Sequence, residues 1–256
     1  MNALAVAERT MSLPRLPLEP DLFGRVLDDC HRGISTEYFL RRDDNLLERD
    51  SSLRYFRAWH EMPAHHRCLL THARGRVLDV GAGAGQHTLV LQERGLAVTA
   101  IDASPLAVEV CRRRGVRDAR EMDAHVLRFP AGSFDTVLFM QQTLGLAGTP
   151  EGLRYLLRRL HRLVADGGQL LADIATPADA LQPGHRRYQH QNRALGRYPG
   201  TVRQRIEYQG MRGLDFDWLL LPLDDLRALC ADTGWKITRC VQVDANATYA
   251  IALGKV

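Results

Sequence analysis

Apolar runs of strand length alternate with helical patterns along most of the chain. The sequence predicts strands over residues 77–80, 97–102, 116–121, 133–140, 169–174, 235–243 and 247–253. Helical patterns separate the first five runs, and the clearest is a leucine stripe from Leu153 to Leu163. Strands that alternate with helices are typical of a parallel α/β sheet. The last two runs are joined by Asp244-Ala245-Asn246, a turn short enough to require antiparallel pairing.

The pattern therefore predicts a Rossmann-like, doubly wound α/β sheet of seven strands with an antiparallel last strand, spanning residues 74–256. Residues 1–73 contain prolines at 14, 17 and 20 and then helical spacing, which predicts a leader followed by a helical cap. Residues 177–221 break the alternation after the fifth strand, and two runs within them, 201–208 and 214–220, suggest a hairpin. Because the carboxyl ends of the strands border the ligand site, this insertion is predicted to be a lid.

A glycine-rich turn follows the first strand. Gly81, Gly83 and Gly85 lie between Val80 and a helix that starts at Gln86, the arrangement that lets backbone approach a nucleotide-like ligand. A dinucleotide fingerprint requires Gly or Ala where Gln86 or Thr88 stands, so a pyrophosphate ligand is disfavoured. Asp102 ends the second strand, where a carboxylate is placed to accept both hydroxyls of a ribose.

The segment Asp79-x-Gly81-x-Gly83-x-Gly85 resembles motif I of the class I S-adenosylmethionine-dependent methyltransferases. The resemblance covers about residues 74–174 and 222–256, and the antiparallel last strand is a hallmark of the family. It implies that S-adenosyl-L-methionine is the cofactor and that Asp123 binds the adenine amino group beside apolar neighbours. The cofactor-binding residues expected on this basis are Asp79, Gly81, Ala82, Gly83, Gly85, Asp102, Ala103, Met122, Asp123, Ala124, Met140 and Gln141.

The expected reaction is methyl transfer to an oxygen or nitrogen of a small molecule or short peptide, in secondary metabolism. Met140-Gln141-Gln142 stands where methyltransferases of nucleic-acid bases usually carry Asn- or Asp-Pro-Pro-Tyr, which argues against base methylation. Histidine titrates near neutral pH, so candidates for a general base are His185 and His190, with Tyr188 beside them in the lid and His31 and His60 in the cap. An ordinary structural or surface role is the alternative for each of them.

Cap residues could also reach the cofactor, because guanidinium groups pair with carboxylates and aromatic faces attract a sulfonium. The candidates, for which simple packing is the alternative, are Tyr38, Arg41, Arg54, Tyr55 and Arg57. The formal net charge of +4 permits a nucleic-acid partner without indicating one, and the arginine row on the helix over 153–164 is expected to be solvated.

Five scattered cysteines without a Cys-x-x-Cys pair predict reduced thiols, and no metal site is expected. No membrane span or signal peptide is apparent, so the expected location is cytoplasmic. Three other functions stay open: a catalytically silent cofactor-binding or regulatory protein, an NAD(P)-dependent oxidoreductase and a nucleic-acid modifier. The oligomeric state is not predicted.

Overall fold

A computed structural model describes residues 16–177, 183–243 and 248–256. The helices are α1 (Leu22–His31), α2 (Ala64–Thr71), α3 (Gln86–Glu93), α4 (Pro105–Arg113), α5 (Pro150–Leu163), α6 (Pro183–Ala194) and α7 (Leu223–Asp232). The strands are β1 (Glu37–Arg42), β2 (Leu47–Ser51), β3 (Arg76–Val80), β4 (Ala97–Asp102), β5 (Ala119–Glu121), β6 (Phe134–Phe139), β7 (Val164–Ala175), β8 (Thr201–Tyr208), β9 (Met211–Arg212), β10 (Phe216–Leu219), β11 (Trp235–Gln242) and β12 (Thr248–Lys255).

The main sheet has seven strands in the order β11-β12-β7-β6-β3-β4-β5. Strands β3 to β7 pair in parallel, whereas β12 pairs antiparallel with both β7 and β11. This confirms the Rossmann-like α/β fold with an antiparallel last strand. The turn predicted at Asp244-Ala245-Asn246 lies outside the described residues.

Alternate side chains of the central strands pack on opposite faces of the sheet. Leu78 and Phe139 lie in the cluster that the leucine stripe of α5 covers, and Trp235 closes this cluster by donating its indole N–H to the Leu157 carbonyl at 3.0 Å. Val77 and Leu138 face α2 and α3 on the other side. Both faces of the sheet are therefore buried, as a parallel sheet requires.

A second sheet, in the order β10-β8-β1-β2 with β9 paired to β8, stands beside the main one. The prediction of a helical cap is wrong for residues 37–51, which form β1 and β2. Strand β1 pairs antiparallel with β8, so the N-terminal segment and the insertion share one sheet, and Arg41 Nε donates to Glu207 Oε1 across it at 2.7 Å. The predicted hairpin is confirmed, because β8 also pairs antiparallel with β10.

Gly85 is required by packing at the start of α3. Its φ is +75°, and a Cβ there would lie 2.7 Å from Val116 Cγ2 and 3.0 Å from Cys111 Sγ. Gly95 offers a matched comparison, because its φ is +83° and nothing lies within 4 Å of the position of its Cβ. The two glycines share the backbone strain that a side chain would meet, and only Gly85 adds a steric clash.

We expect Gly85→Ala to lower the free energy of unfolding by about 1–3 kcal/mol more than Gly95→Ala does, because overpacking adds to the cost of positive φ. Chemical denaturation of both variants and the parent chain measures this difference. Equal losses would show that the Cys111 and Val116 side chains move aside without cost.

Candidate functional site

A cavity of ≈540 Å³ lies between the carboxyl ends of the main sheet and the inner face of the second sheet. The predicted cofactor residues that line it are Gly81, Ala82, Gly83, Asp102, Ala103, Met122, Asp123, Ala124, Met140 and Gln141. The lining also includes Tyr38, Arg54 and Tyr55 from the N-terminal segment and His185 from the insertion. The topology thus brings most of the predicted residues to one place, because parallel strands end at the same edge of the sheet.

The Asp102 side chain links the glycine loop to the segment that leads into α4. Its Oδ2 accepts the Gly83 N–H at 2.9 Å and its Oδ1 accepts the Ser104 N–H at 3.0 Å. Burial raises the pKa of Asp102, while these backbone hydrogen bonds oppose that rise. The side chain is half-buried and keeps a face toward the cavity. It therefore shapes the loop and still offers oxygen acceptors to a ligand.

Two predicted cofactor residues, Asp79 and Gly85, do not line the cavity. Asp79 is 1% exposed beneath the loop and accepts the Thr88 hydroxyl at 2.7 Å, so it holds the start of α3 against β3. Burial raises the pKa of Asp79 to about 6, although the Thr88 hydrogen bond lowers it in part. Gly85 packs against Cys111 of α4 and against Val116, which lies between α4 and β5. Both residues of the motif thus serve the conformation of the loop.

Asp123 is exposed at the far end of the cavity. Its Oδ1 accepts both the backbone N–H of His125 at 2.8 Å and that residue's Nδ1–H at 2.9 Å. Partial burial raises the pKa of Asp123, but the hydrogen bonds from His125 outweigh it and leave the pKa below its usual value. The carboxylate is therefore held ionised, with His125 fixing its orientation.

The chain is strained where β6 ends at the cavity. Gln141 and Gln142 have φ values of +58° and +65°, a conformation that non-glycine residues rarely adopt. The Gln141 amide nitrogen donates to the Arg54 carbonyl at 3.1 Å, and its Oε1 atom is buried without a hydrogen-bond partner in the described part of the chain. Backbone strain of this kind is common at ligand-binding sites. The unpaired Gln141 Oε1 atom offers a hydrogen-bond acceptor there.

Phenol groups from the N-terminal segment form a connected wall. Tyr38 donates to Asp50 Oδ2 at 2.8 Å, so the 3.2 Å contact between the two phenol oxygens has Tyr55 donating to Tyr38. Arg54 pairs with the same Asp50 oxygen at 3.0 Å. Burial raises the pKa of both phenols, which keeps them neutral. The Tyr55 ring covers the loop, with Cδ1 3.8 Å from where a Gly83 Cβ would lie.

The structure brings only one of the three predicted catalytic residues, His185, to the cavity. Its Nδ1 is 3.0 Å from Arg42 Nη1, and because a guanidinium only donates, Nδ1 accepts. Tyr188 is buried, donates to Asp43 Oδ1 at 2.6 Å and lies under the Arg42 guanidinium. His190 is exposed and does not line the cavity, since helix α6 directs it away from His185 and Tyr188. Tyr188 is thus a packing residue.

Among the cap candidates, Arg41, Arg57, His31 and His60 do not line the cavity either. The residues that sequence reasoning missed include Gln86 and His87 at the start of α3, and Phe216 and Trp218 on β10. Gln86 and His87 follow the glycine motif directly, which was a signal available in the sequence. Phe216 and Trp218 reach the cavity through pairing of distant strands and gave no comparable signal.

Comparisons with known proteins agree with this geometry. A family model described as a methyltransferase domain matches residues 77–168. The structure of an S-adenosylmethionine-dependent methyltransferase from Bacteroides fragilis, in complex with S-adenosyl-L-homocysteine, is 31% identical, covers 94% of this chain and 98% of its own, and superposes with a TM-score of 0.80. This chain belongs to the class I S-adenosylmethionine-dependent methyltransferase family. Membership confirms the expected enzyme class and cofactor.

Curated methyltransferases match a shorter part of the chain. A cypemycin N-terminal methyltransferase from Streptomyces is 34% identical over 42% of this chain and 45% of its own length. A ubiquinone biosynthesis O-methyltransferase from Xanthomonas oryzae is 35% identical over 41% of this chain and 46% of its own length. This methyltransferase chain thus spans about half the length of the curated relatives that it matches. Among its described residues, no helix combines the length and apolar character needed to cross a membrane; the cytoplasmic location stays a prediction.

The pKa of Asp79 in this methyltransferase gives a pH dependence of stability. The pKa of the Asp79 carboxyl is 3.8 in the unfolded chain and about 6 in the folded protein. The protonated carboxyl therefore stabilises the folded state fully below pH 3.8, and this stabilisation is lost as the pH rises through 6. We expect the stability of the parent chain relative to Asp79→Asn to fall by about 2–3 kcal/mol between pH 4 and pH 7. Denaturation across that range measures it. The exposed Asp224→Asn should show no such trend, and a pH-independent Asp79→Asn difference would contradict the assignment.

Proposed function

We propose that this chain transfers a methyl group from S-adenosyl-L-methionine to an oxygen or nitrogen of a small molecule in secondary metabolism. The observation that carries the proposal is the single cavity that joins the glycine loop to an apolar, aromatic wall of the second sheet. The loop side presents the carboxylates of Asp102 and Asp123, whereas the opposite wall presents Phe216, Trp218 and aliphatic side chains. One side thus suits a nucleoside-like cofactor and the other an apolar acceptor.

The residues present fit the cofactor. Asp102 offers its carboxylate to ribose hydroxyls, and Met122 with Asp123 offers an apolar neighbour and an acceptor for an adenine. Gly81 and Gly83 leave open the space that side chains would fill, because a Cβ at Gly81 has only the Thr143 and Leu146 side chains near it, and both residues also line the cavity. The unpaired Gln141 Oε1 completes the set with an acceptor for a cofactor or substrate N–H.

When bound, the cofactor supplies an activated methyl group on sulfur. The substrate nucleophile forms a bond to this methyl carbon as the carbon–sulfur bond breaks, which leaves S-adenosyl-L-homocysteine. The chain's own contribution is to align the nucleophile and to exclude water. The second sheet does this by covering the carboxyl ends of the main strands, with Trp218 packed against the Gly145 backbone so closely that a Cβ there would lie 2.5 Å from its Nε1.

A small acceptor is favoured over a macromolecule because the second sheet roofs the site. The acceptor wall is formed by β8 and β10 of the insertion, to which β1 of the N-terminal segment is paired, rather than by an open groove. We therefore place the acceptor's recognition in the apolar residues of β8 and β10. A short peptide terminus stays the alternative acceptor, of a kind named for the cypemycin relative.

Calorimetric titration with S-adenosyl-L-homocysteine, beside NADH and NADPH, tests the cofactor. We expect S-adenosyl-L-homocysteine alone to bind, and Asp102→Ala to weaken its binding by about 1–3 kcal/mol through loss of charged hydrogen-bond acceptors. The exposed Asp224→Ala serves as the matched control and should bind as the parent does. Binding of a nicotinamide instead, or unchanged affinity in Asp102→Ala, would contradict the proposal.

A screen of small acceptors with methyl-labelled S-adenosyl-L-methionine tests the transfer, and Trp218→Leu then tests the acceptor wall. We expect Trp218→Leu to raise KM for the acceptor about tenfold, because an indole surface is lost, while affinity for S-adenosyl-L-homocysteine stays unchanged. Tyr155→Leu, an exposed aromatic on α5, is the control. If Trp218→Leu weakened S-adenosyl-L-homocysteine binding as much as it raised KM for the acceptor, the assignment of Trp218 to the acceptor wall would be wrong.

A further inference from the structure

Three side chains that can ligate a metal meet beside the main sheet, outside the cavity. His65 and His66 lie in the first turn of α2, and Asp173 lies near the carboxyl end of β7. Each offers one imidazole nitrogen or carboxylate oxygen, and these three atoms all lie within 4.8 Å of one another. His66 and Asp173 are buried, whereas His65 is half-buried. The fold thus brings donor atoms from a helix and from a strand distant in sequence to one place.

The Asp173 carboxylate carries the unsatisfied atom of this cluster. The Gln142 backbone N–H donates to the carboxylate, and the imidazoles of His65 and His66 face it. Its Oδ1 atom is nevertheless buried without a hydrogen-bond partner in the described part of the chain. A carboxylate that is 2% exposed requires a positive charge beside it, which a backbone N–H does not supply. The charge must come from an imidazolium or from a bound cation.

The separation between Asp173 and His66 favours the bound cation. Asp173 Oδ1 and His66 Nε2 are 3.5 Å apart. A charge-assisted hydrogen bond between an imidazolium and a carboxylate would bring these atoms to about 2.7–2.9 Å. Two ligand atoms of one tetrahedral zinc ion, each about 2.0–2.1 Å from the metal, are about 3.3–3.4 Å apart. The observed separation therefore fits two atoms that ligate the same metal ion.

The donor types indicate the class of metal. Imidazole and carboxylate ligands suit Zn²⁺, whereas Ca²⁺ and Mg²⁺ prefer oxygen ligands alone. Three protein ligands leave the fourth position of a zinc tetrahedron for water. The half-buried His65 provides an entry path from solvent.

Outer partners of the kind that orient metal ligands are also present. His66 Nδ1 is 3.4 Å from His87 Nε2, so the ring nitrogen of His66 that faces away from Asp173 has a polar neighbour. The Gln142 backbone N–H holds the Asp173 carboxylate from the other side. Partners of this kind fix the orientation of ligating side chains and strengthen metal binding.

We propose that His65, His66 and Asp173 bind one Zn²⁺ ion, which links α2 to the carboxyl end of β7. None of the three residues lines the cavity, so the ion has a structural role and the proposal does not depend on the proposed function. Gln142 joins the site to the strained turn after β6. The ion therefore also restrains the turn that carries Gln141 at the cavity.

Titration of the purified chain with Zn²⁺, after removal of metals with a chelator and against a chromophoric competitor, tests the site. We expect one equivalent to bind tightly and His65→Ala to bind it at least about 100-fold more weakly, because losing a ligand costs more than losing an outer partner. The exposed His60→Ala is the matched control for weak binding by the other histidines and should bind as the parent does. No stoichiometric binding, or an equal loss in both variants, would overturn the proposal.

Thermal unfolding distinguishes a structural ion from one bound loosely at the surface. An ion that binds only the folded chain, at about 100 times its Kd, raises the unfolding midpoint by about 5–10 °C. We expect Zn²⁺ to give this shift in the parent and in His60→Ala, and no shift in His65→Ala. A His66–Asp173 ion pair without metal would leave the parent unshifted, and this outcome would overturn the proposal.

Anomalous diffraction at the zinc absorption edge locates the ion in the unsubstituted chain. We expect crystals grown with one equivalent of Zn²⁺ to show a peak between His65, His66 and Asp173. Because the parent chain is used, this measurement decides the proposal even if a substituted chain fails to fold. A peak only at other residues would overturn it.

Discussion

The pairing of β1 with β8 is the constraint on which the cavity depends. It joins a strand that precedes the main sheet in sequence to one inserted between β7 and β11, and the Arg41–Glu207 contact across it links residues 166 positions apart. Without this pairing, the carboxyl ends of the main sheet would face solvent. With it, the N-terminal segment and the insertion become one roof, and the phenols of Tyr38 and Tyr55 lie opposite the glycine loop.

Beneath the roof, the loop is held by buried polar groups rather than by apolar packing alone. Asp102 accepts backbone donors from Gly83 and Ser104, and Asp79 accepts the Thr88 hydroxyl. A buried acceptor that loses its donor costs about 1–3 kcal/mol, so these contacts strongly favour one loop conformation. The same contacts leave the cavity side of the loop free, which is what a preorganised binding site requires.

The two walls of the site are built by different physical means. The wall at the glycine loop uses carboxylates and polar side chains whose positions follow from strand ends and helix starts. The acceptor wall uses aromatic and aliphatic side chains on β8 and β10, where area and shape rather than hydrogen bonds set the fit. Substitutions on β8 and β10 can therefore alter the acceptor while the loop below keeps its conformation, because the hydrogen bonds of Asp79 and Asp102 that hold the loop involve neither strand.

The sequence by itself determined the main sheet, the glycine loop and most of the residues that line the cavity at that loop. Strand runs, a positive-φ glycine pattern and a carboxylate at the end of a strand are local signals, and parallel strand ends meet at one edge in any such sheet. Only the tertiary structure decided the second sheet and the acceptor wall. Residues 37–51 have no strong period of their own and become strands because β8 pairs with β1 and β1 in turn pairs with β2. Asp79 and His190 show the same limit within the site. The spacing of residues along the chain gives the neighbours of a residue in its own helix or strand. Its burial and the direction of its side chain depend on segments, distant in sequence, that pack against it.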